Sequence, residues 1–85
     1  MSDYLIVFAS GAEKQLASLP VEIRNRIYPK IDSLANNPRP PGCVKLKGEK
    51  NGWRIRVGEY RVIYSIDDNT QTVDVTKVGH RRDIY

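Results

Sequence analysis

From Trp53 onward the chain alternates apolar and polar residues with a period of two, and this alternation constrains the fold more than any other feature. Trp53, Ile55 and Val57 alternate with Arg54 and Arg56, and Gly58-Glu59 follows. Tyr60, Val62, Tyr64 and Ile66 then alternate with Arg61, Ile63 and Ser65. Such a pattern reads as strands with one buried face each. Glycine at the first central position suits a type II′ hairpin turn at Gly58-Glu59. That turn sets Val57 opposite Tyr60, Arg56 opposite Arg61, Ile55 opposite Val62 and Trp53 opposite Tyr64. Asp67-Asp68-Asn69-Thr70 reads as the next turn, and residues 71–78 as a final strand. Extending the register places Val73 opposite Tyr64, Val75 opposite Val62 and Asp74 opposite Ile63, so the core face stays apolar.

The N-terminal half changes period. Tyr4-Leu5-Ile6-Val7-Phe8 is a short β-branched run and reads as a first strand. Ser10 with Glu13 matches a capping box, and Ala12, Leu16 and Leu19 give a short amphipathic helix. Pro20 suits the first position of a second helix, along which Ile23, Ile27, Ile31 and Leu34 form one apolar stripe. Pro29 interrupts the stripe without ending it, so a kink is expected there. The segment Asn36-Asn37-Pro38-Arg39-Pro40-Pro41-Gly42 stops the helix. The order is β-α-α-β-β-β: an α+β domain with a two-helix hairpin packed on one face of a small antiparallel sheet. Residues 1–85 leave room for one domain.

Composition removes several classes of function. One cysteine, Cys43, excludes an internal disulfide, and one histidine beside it falls short of a structural zinc site. Cys43 has no partner histidine nearby and no basic neighbour closer in sequence than Lys45, so a nucleophilic thiol is not expected. No apolar stretch approaches the ~20 residues that span a bilayer. Met1-Ser2-Asp3-Tyr4 has no basic n-region. The expectation is a cytoplasmic protein without metal, cofactor or membrane contact. The formal net charge is +4. Residues 1–41 carry five basic and four acidic groups, and residues 42–85 nine and six, so the excess lies in the strand-rich half.

Its placement there is informative. The register puts Arg56 against Arg61, with Arg54 two residues along the same face. Like charges directly opposite each other are destabilising. A solvated face on which long side chains splay apart is the bland reading. No acid on the central strands sits close enough to neutralise the group, however, and the repulsion is best recovered from a polyanion. The tail Val78-Gly79-His80-Arg81-Arg82-Asp83-Ile84-Tyr85 leaves the last strand near Arg56 and Arg61. Read alone it is a solvated basic end; with the arginine face it becomes part of a site. Lys45-Leu46-Lys47-Gly48 reads as two solvent-facing lysines about a buried leucine, with a supporting phosphate-binding role open to Lys45 and Lys47. Trp53, Tyr60 and Tyr64 share the helix-covered face and read as core.

The Lys45-Leu46-Lys47-Gly48 segment, the run Gly52-Trp53-Arg54-Ile55-Arg56-Val57-Gly58-Glu59-Tyr60-Arg61-Val62-Ile63-Tyr64 and the tail together resemble the RelE/ParE toxin superfamily, on its RelE side. The resemblance spans essentially the whole chain, Leu19-Pro20 and Asn37-Pro38-Arg39-Pro40 included. It implies a toxin of a type II toxin–antitoxin system, held inactive by a cognate RelB-like antitoxin. RelE-type toxins cut mRNA in the ribosomal A site, leaving a 2′,3′-cyclic phosphate and a 5′-OH, so mRNA and the ribosome are the implied partners. The positions matching the family's functional residues are Arg54, Arg56, Arg61, Arg81 and Tyr85, with His80 as a further catalytic candidate. Lys45, Lys47 and Arg82 are candidate RNA contacts.

The chain departs from one family pattern at Arg54 and Arg56, where lysines can stand, and the C-terminal helix that some members carry is not expected after Tyr85. Arginine keeps its proton at physiological pH, so neither residue can serve as an ordinary general base. Both can hold phosphate bidentately and stabilise a phosphorane-like transition state. The base is then Tyr85, His80, or a group supplied by the ribosome or the RNA. A ParE-like noncatalytic inhibitor of DNA gyrase is the alternative of a different class, and a noncatalytic RNA-binding module is a third.

Overall fold

The β-branched N-terminal run forms β1 (Leu5–Phe8), and Pro20 separates two helices, α1 (Ser10–Ala17) and α2 (Val21–Ser33). Four strands follow, β2 (Val44–Lys45), β3 (Gly52–Val57), β4 (Tyr60–Asp67) and β5 (Thr72–His80), and then one helical turn, α3 (Arg81–Ile84). The structure, a computed structural model, describes residues 3–84. The strands form one sheet in the order β1-β5-β4-β3-β2. The first strand runs parallel to β5 at one edge, and the remaining pairs are antiparallel. The α+β architecture is the expected one, enlarged by the short edge strand β2.

The inward residues explain why the helices lie on this face. Ala12 and Leu16 of α1, Ile27 and Ile31 of α2, and Leu34 just beyond it are buried against Ile55, Val57, Val62, Tyr64, Ile66, Val73, Val75 and Val78. Ile23 and Trp53 are only half-buried at the margin of this core. The hydroxyl of Tyr64 needs a partner once buried, and it donates to the Pro38 carbonyl at 2.7 Å. That bond fastens the proline-rich stop to the middle of the sheet.

The central hairpin has the expected register throughout, including Arg56 opposite Arg61. Gly58 has φ 60° while Glu59 is not in the left-handed region, which is the type II′ pattern. A Cβ at Gly58 would also lie 3.2 Å from the guanidinium of Arg26, which reaches over the turn from α2.

The last strand departs from expectation. Tyr64 faces Val75 and Ile66 faces Val73, a two-residue shift that leaves inward residues inward. The same shift sets Asp74 opposite Ser65, and between Ile63 and Tyr64 the register shifts again, so that Ile63 faces Lys77 and Val62 faces Val78. Thr76 is the extra residue, a β-bulge that reverses the parity of everything after it. Beside the bulge, the Val78 amide donates to Gln15 Oε1 of α1 at 2.8 Å.

Two helix starts also differ. The N-cap of α1 is Ala9, with no side-chain cap bond, so the Ser10/Glu13 capping box does not form. The Ala9 amide donates to the Val75 carbonyl at 2.9 Å, and this pairing fixes the helix entry one residue early. Pro20 is the N-cap of α2 rather than its first helical residue. The second helix runs through Pro29 without interruption.

Arg39, Asp68 and Tyr4 tie the ends of the sheet together. Arg39 Nη2 lies 2.9 Å from Asp68 Oδ2, and the Tyr4 hydroxyl donates to Asp68 Oδ1 at 2.6 Å. The hydrogen bond from Arg39, then that from Tyr4, holds the Asp68 carboxyl below its ordinary pKa. A depressed folded-state pKa contributes stability above the unfolded-state pKa that is lost as pH falls through the folded value. Asp68→Asn should therefore melt below the parent at neutral pH, and the difference should close in acid. Melting curves across pH check this; a difference that does not change with pH counts against the network.

Candidate phosphate-binding face

The face of the sheet away from the helices carries the basic residues. In the row nearest the hairpin turn, Arg56 pairs with Arg61, and Arg61 with Gly79. In the next row, Val44, Arg54, Ile63 and Lys77 stand side by side. Arg54, Arg56 and Arg61 line one small cleft of about 180 Å³ together with Gly42 and Val44. The alternation of β3 and β4 alone brings these three guanidiniums together, since every second residue must face away from the core.

Arg61 is braced against its own turn. Its Nη1 donates to the carbonyls of Gly58 at 3.3 Å and Tyr60 at 3.2 Å. Desolvation, followed by the charges of Arg56 and Arg54, pulls its pKa below the usual arginine value, while Glu59 opposes them. The direction means that the neighbourhood disfavours a cation there. A phosphate brought into the cleft reverses that sign.

Arg81 joins the group from the C-terminal side. Its amide donates to the Glu59 carbonyl at 2.8 Å, and its Nε lies 2.8 Å from Glu59 Oε2. The hairpin turn thereby holds the start of α3 by backbone and side chain together. The Ile84 side chain lies above Gly79, about where a Cβ there would touch it at 3.4 Å. Gly79 is the register partner of Arg61, so α3 covers the end of the arginine face.

The other sequence candidates separate. His80 pairs with Tyr60 and meets its ring edge-on, 5.4 Å between centroids, in a groove also lined by Gln15 and Leu19. It therefore stands on the helix side of the sheet, away from the arginine cleft, and its Nδ1 accepts from the Arg82 amide at 3.2 Å. Lys45 pairs with Trp53, its Nζ lying 5.4 Å from the ring centroid and donating to the Lys50 carbonyl at 2.6 Å. It too turns toward the helix side. Lys47 does reach the basic face, in a groove with Ile63, Thr76 and Lys77. Arg82 is exposed on α3. Tyr85 lies outside the described residues.

Sequence reasoning missed Glu59, Lys77 and Glu49 on or beside this face. Glu59 was legible as a turn residue, but its pairing with Arg81 needs the last strand brought back to the hairpin. Lys77 faces outward only because of the bulge; its signal is Val78, an apolar residue out of step with Val73 and Val75. Glu49 belongs to the loop before β3, whose course the sequence does not fix. Among the described residues, no three His, Cys, Asp or Glu side chains gather as metal ligands, and no helix is long and apolar enough to cross a membrane.

Known proteins share this fold. The model of the family described as the ParE toxin of the type II toxin–antitoxin system, parDE, matches residues 6–85. Toxin RelE3 of Methanocaldococcus jannaschii is 37% identical over 84 residues, covering 94% of this chain and 93% of the relative. Toxin RelG of Mycobacterium tuberculosis is 31% identical over 83 residues, with 96% and 95% covered. The crystal structure of an archaeal RelE–RelB complex from Pyrococcus horikoshii matches with a TM-score of 0.82 at 30% identity, covering 93% of this chain and 96% of that one. The family model and these relatives together define a toxin of a type II toxin–antitoxin system. The chain belongs to the RelE/ParE toxin superfamily, and these relatives put the weight on its RelE side rather than on a ParE-like inhibitor.

Proposed function

We propose that this toxin is a ribosome-dependent endoribonuclease that cleaves mRNA. The observation that carries the reading is the cleft in which Arg54, Arg56 and Arg61 converge, with Arg81 anchored at its edge. In the proposed reaction a 2′-OH attacks the adjacent phosphorus and the O5′ bond breaks. The products are a 2′,3′-cyclic phosphate and a 5′-OH, with one proton leaving the 2′-oxygen and one reaching O5′. The guanidiniums hold the non-bridging oxygens and stabilise the extra charge of the pentavalent state.

No arginine can accept the 2′-OH proton, and His80 lies across the sheet from the cleft. The proton acceptor is therefore assigned to Tyr85 or to a group of the ribosome or RNA. Tyr85→Phe should slow cleavage while RNA binding holds, because the ring survives and the hydroxyl does not. If Phe cleaves as fast as the parent, the base is external.

Glu59 enters as a positioning residue. It holds Arg81 by Nε and leaves the terminal nitrogens of that fork for phosphate. Both side chains are more than half exposed, at 54% and 61%, so the pair contributes little to stability. Glu59→Ala should leave the melting temperature close to the parent and lower kcat. Glu59→Asp, which keeps the carboxylate, should recover part of the loss. A change in melting temperature without a change in kcat would give Glu59 a structural role only.

A RelB-like antitoxin is the proposed inhibitor. The Pyrococcus horikoshii relative is a RelE–RelB complex, and an extended acidic segment laid over the arginine face would displace RNA. Co-purification from the native operon tests this. Primer extension on translated mRNA after induction tests the activity: new 5′ ends support it, and DNA damage linked to gyrase without them supports the ParE-like alternative.

A further inference from the structure

Beside the arginine cleft, on the same face of the sheet, lies a second groove of about 390 Å³ between the loop before β3 and α3. Its floor is Ile63, flanked in register by Arg54 and Lys77, and Leu46 and Ile84 form its apolar walls. Lys47 and Lys77 stand at its rim, together with one acid, Glu49. The carboxylate of Glu49 folds directly over the backbone of Gly52, where any Cβ would overlap it. Gly52, Arg54 and Arg56 alternate along β3, so that space is on the arginine side. Among the described residues Glu49 joins neither ion pair, Arg39 with Asp68 or Arg81 with Glu59.

A carboxylate held on a phosphate-binding face repels the phosphate backbone and is matched instead by neutral hydrogen-bond donors. In RNA those donors are the 2′-OH and the amino and imino groups on base edges, and uracil's one base-edge donor, N3–H, lies between two carbonyl oxygens that a carboxylate repels. An apolar floor beside it suits the flat ring of an unstacked base, and the two lysines suit its flanking phosphates. We infer that this groove binds a nucleobase next to the scissile phosphate and that Glu49 reads its edge, favouring bases that carry an amino group over uracil. The inference rests on the arginine face being an RNA site and adds a specificity-determining residue to it.

The test uses the full chain and non-cleavable single-stranded RNA hexamers, with A, C, G or U at one position and a 2′-deoxy sugar at the scissile step. Binding is followed by fluorescence anisotropy for the parent, Glu49→Gln and Arg61→Ala. The expected result is that amino-bearing bases bind about tenfold tighter than uracil to the parent at one position. In Glu49→Gln that difference should flatten, because an amide can also donate to the uracil carbonyls, while overall affinity holds or rises with the loss of a negative charge. Equal base discrimination in parent and Glu49→Gln overturns the inference. If Arg61→Ala still lowers binding in that case, the RNA reading of the arginine face survives without it. Loss of antitoxin affinity in Glu49→Gln with unchanged base preference would assign the groove to the antitoxin and overturn it as well. Absence of any RNA binding that depends on Arg61 removes the RNA reading and this inference together.

Discussion

Arg61→Ala is expected to lower the rate of mRNA cleavage by about 10²–10³-fold, the usual loss when one preorganised donor to a transition-state anion is removed. The same variant should fold as well as the parent or better. Among the described residues the hydrogen bonds of the Arg61 guanidinium go to carbonyls of its own turn. Burial and the charges of Arg56 and Arg54 already disfavour its cationic form, so its removal relieves repulsion. Activity and stability should therefore move in opposite directions, which is the mark of a side chain kept for a ligand. Arg61→Lys keeps the charge and loses the fork, and should recover only part of the rate. Purified, folded Arg61→Ala with near-parent cleavage of translated mRNA would take Arg61 out of the site.

The largest expected effect on stability comes from the other face of the sheet. Ile31 is fully buried, where α2 meets the sheet, and Ile31→Ala removes methylenes that nothing nearby can replace. Such truncations cost about 2–5 kcal/mol, against a total of about 5–15 kcal/mol for a typical domain. In a domain of this size, a loss of that order lowers Tm by about 10 °C or more. Ile31→Val should cost only about 0.5–1.5 kcal/mol. Denaturant midpoints for the three proteins check the order. A midpoint for Ile31→Ala equal to the parent would mean that the helix hairpin is not packed on the sheet as described.

These effects fall on different faces, and the residues themselves show which face each belongs to as far as Tyr64. Strict alternation and a two-residue turn leave one register for β3 and β4, so the Arg56–Arg61 opposition is legible in the sequence alone. The pairing of β5 is not. The four-residue turn after β4 sits one residue later than expected, at 68–71, which moves the register by two and preserves the faces, and the bulge at Thr76 then reverses them. One inserted residue accounts for two differences at the site: Lys77 gains the arginine face, and His80 is lost to the helix side. Lys45 turns the same way because β2, only two residues long, gives no periodicity to read. Ser10 and Glu13 have the composition of a capping box, but a sheet bond from Ala9 sets the helix entry first. Glu59 and Glu49 are legible only once the chain has folded, since their partners, Arg81 and the backbone of Gly52, are defined by three-dimensional proximity.

Whether this arginine face cuts translated mRNA by 2′-OH attack can be read from RNA ends that carry a 5′-hydroxyl. They would be sequenced after adding the purified toxin to a translating extract and to the same extract with initiation blocked. New 5′-hydroxyl ends within codons, paired with 2′,3′-cyclic phosphates, are expected in the translating extract only and should be absent with Arg61→Ala. Translation arrest without such ends, or the same ends with Arg61→Ala as with the parent, would contradict cleavage by this face.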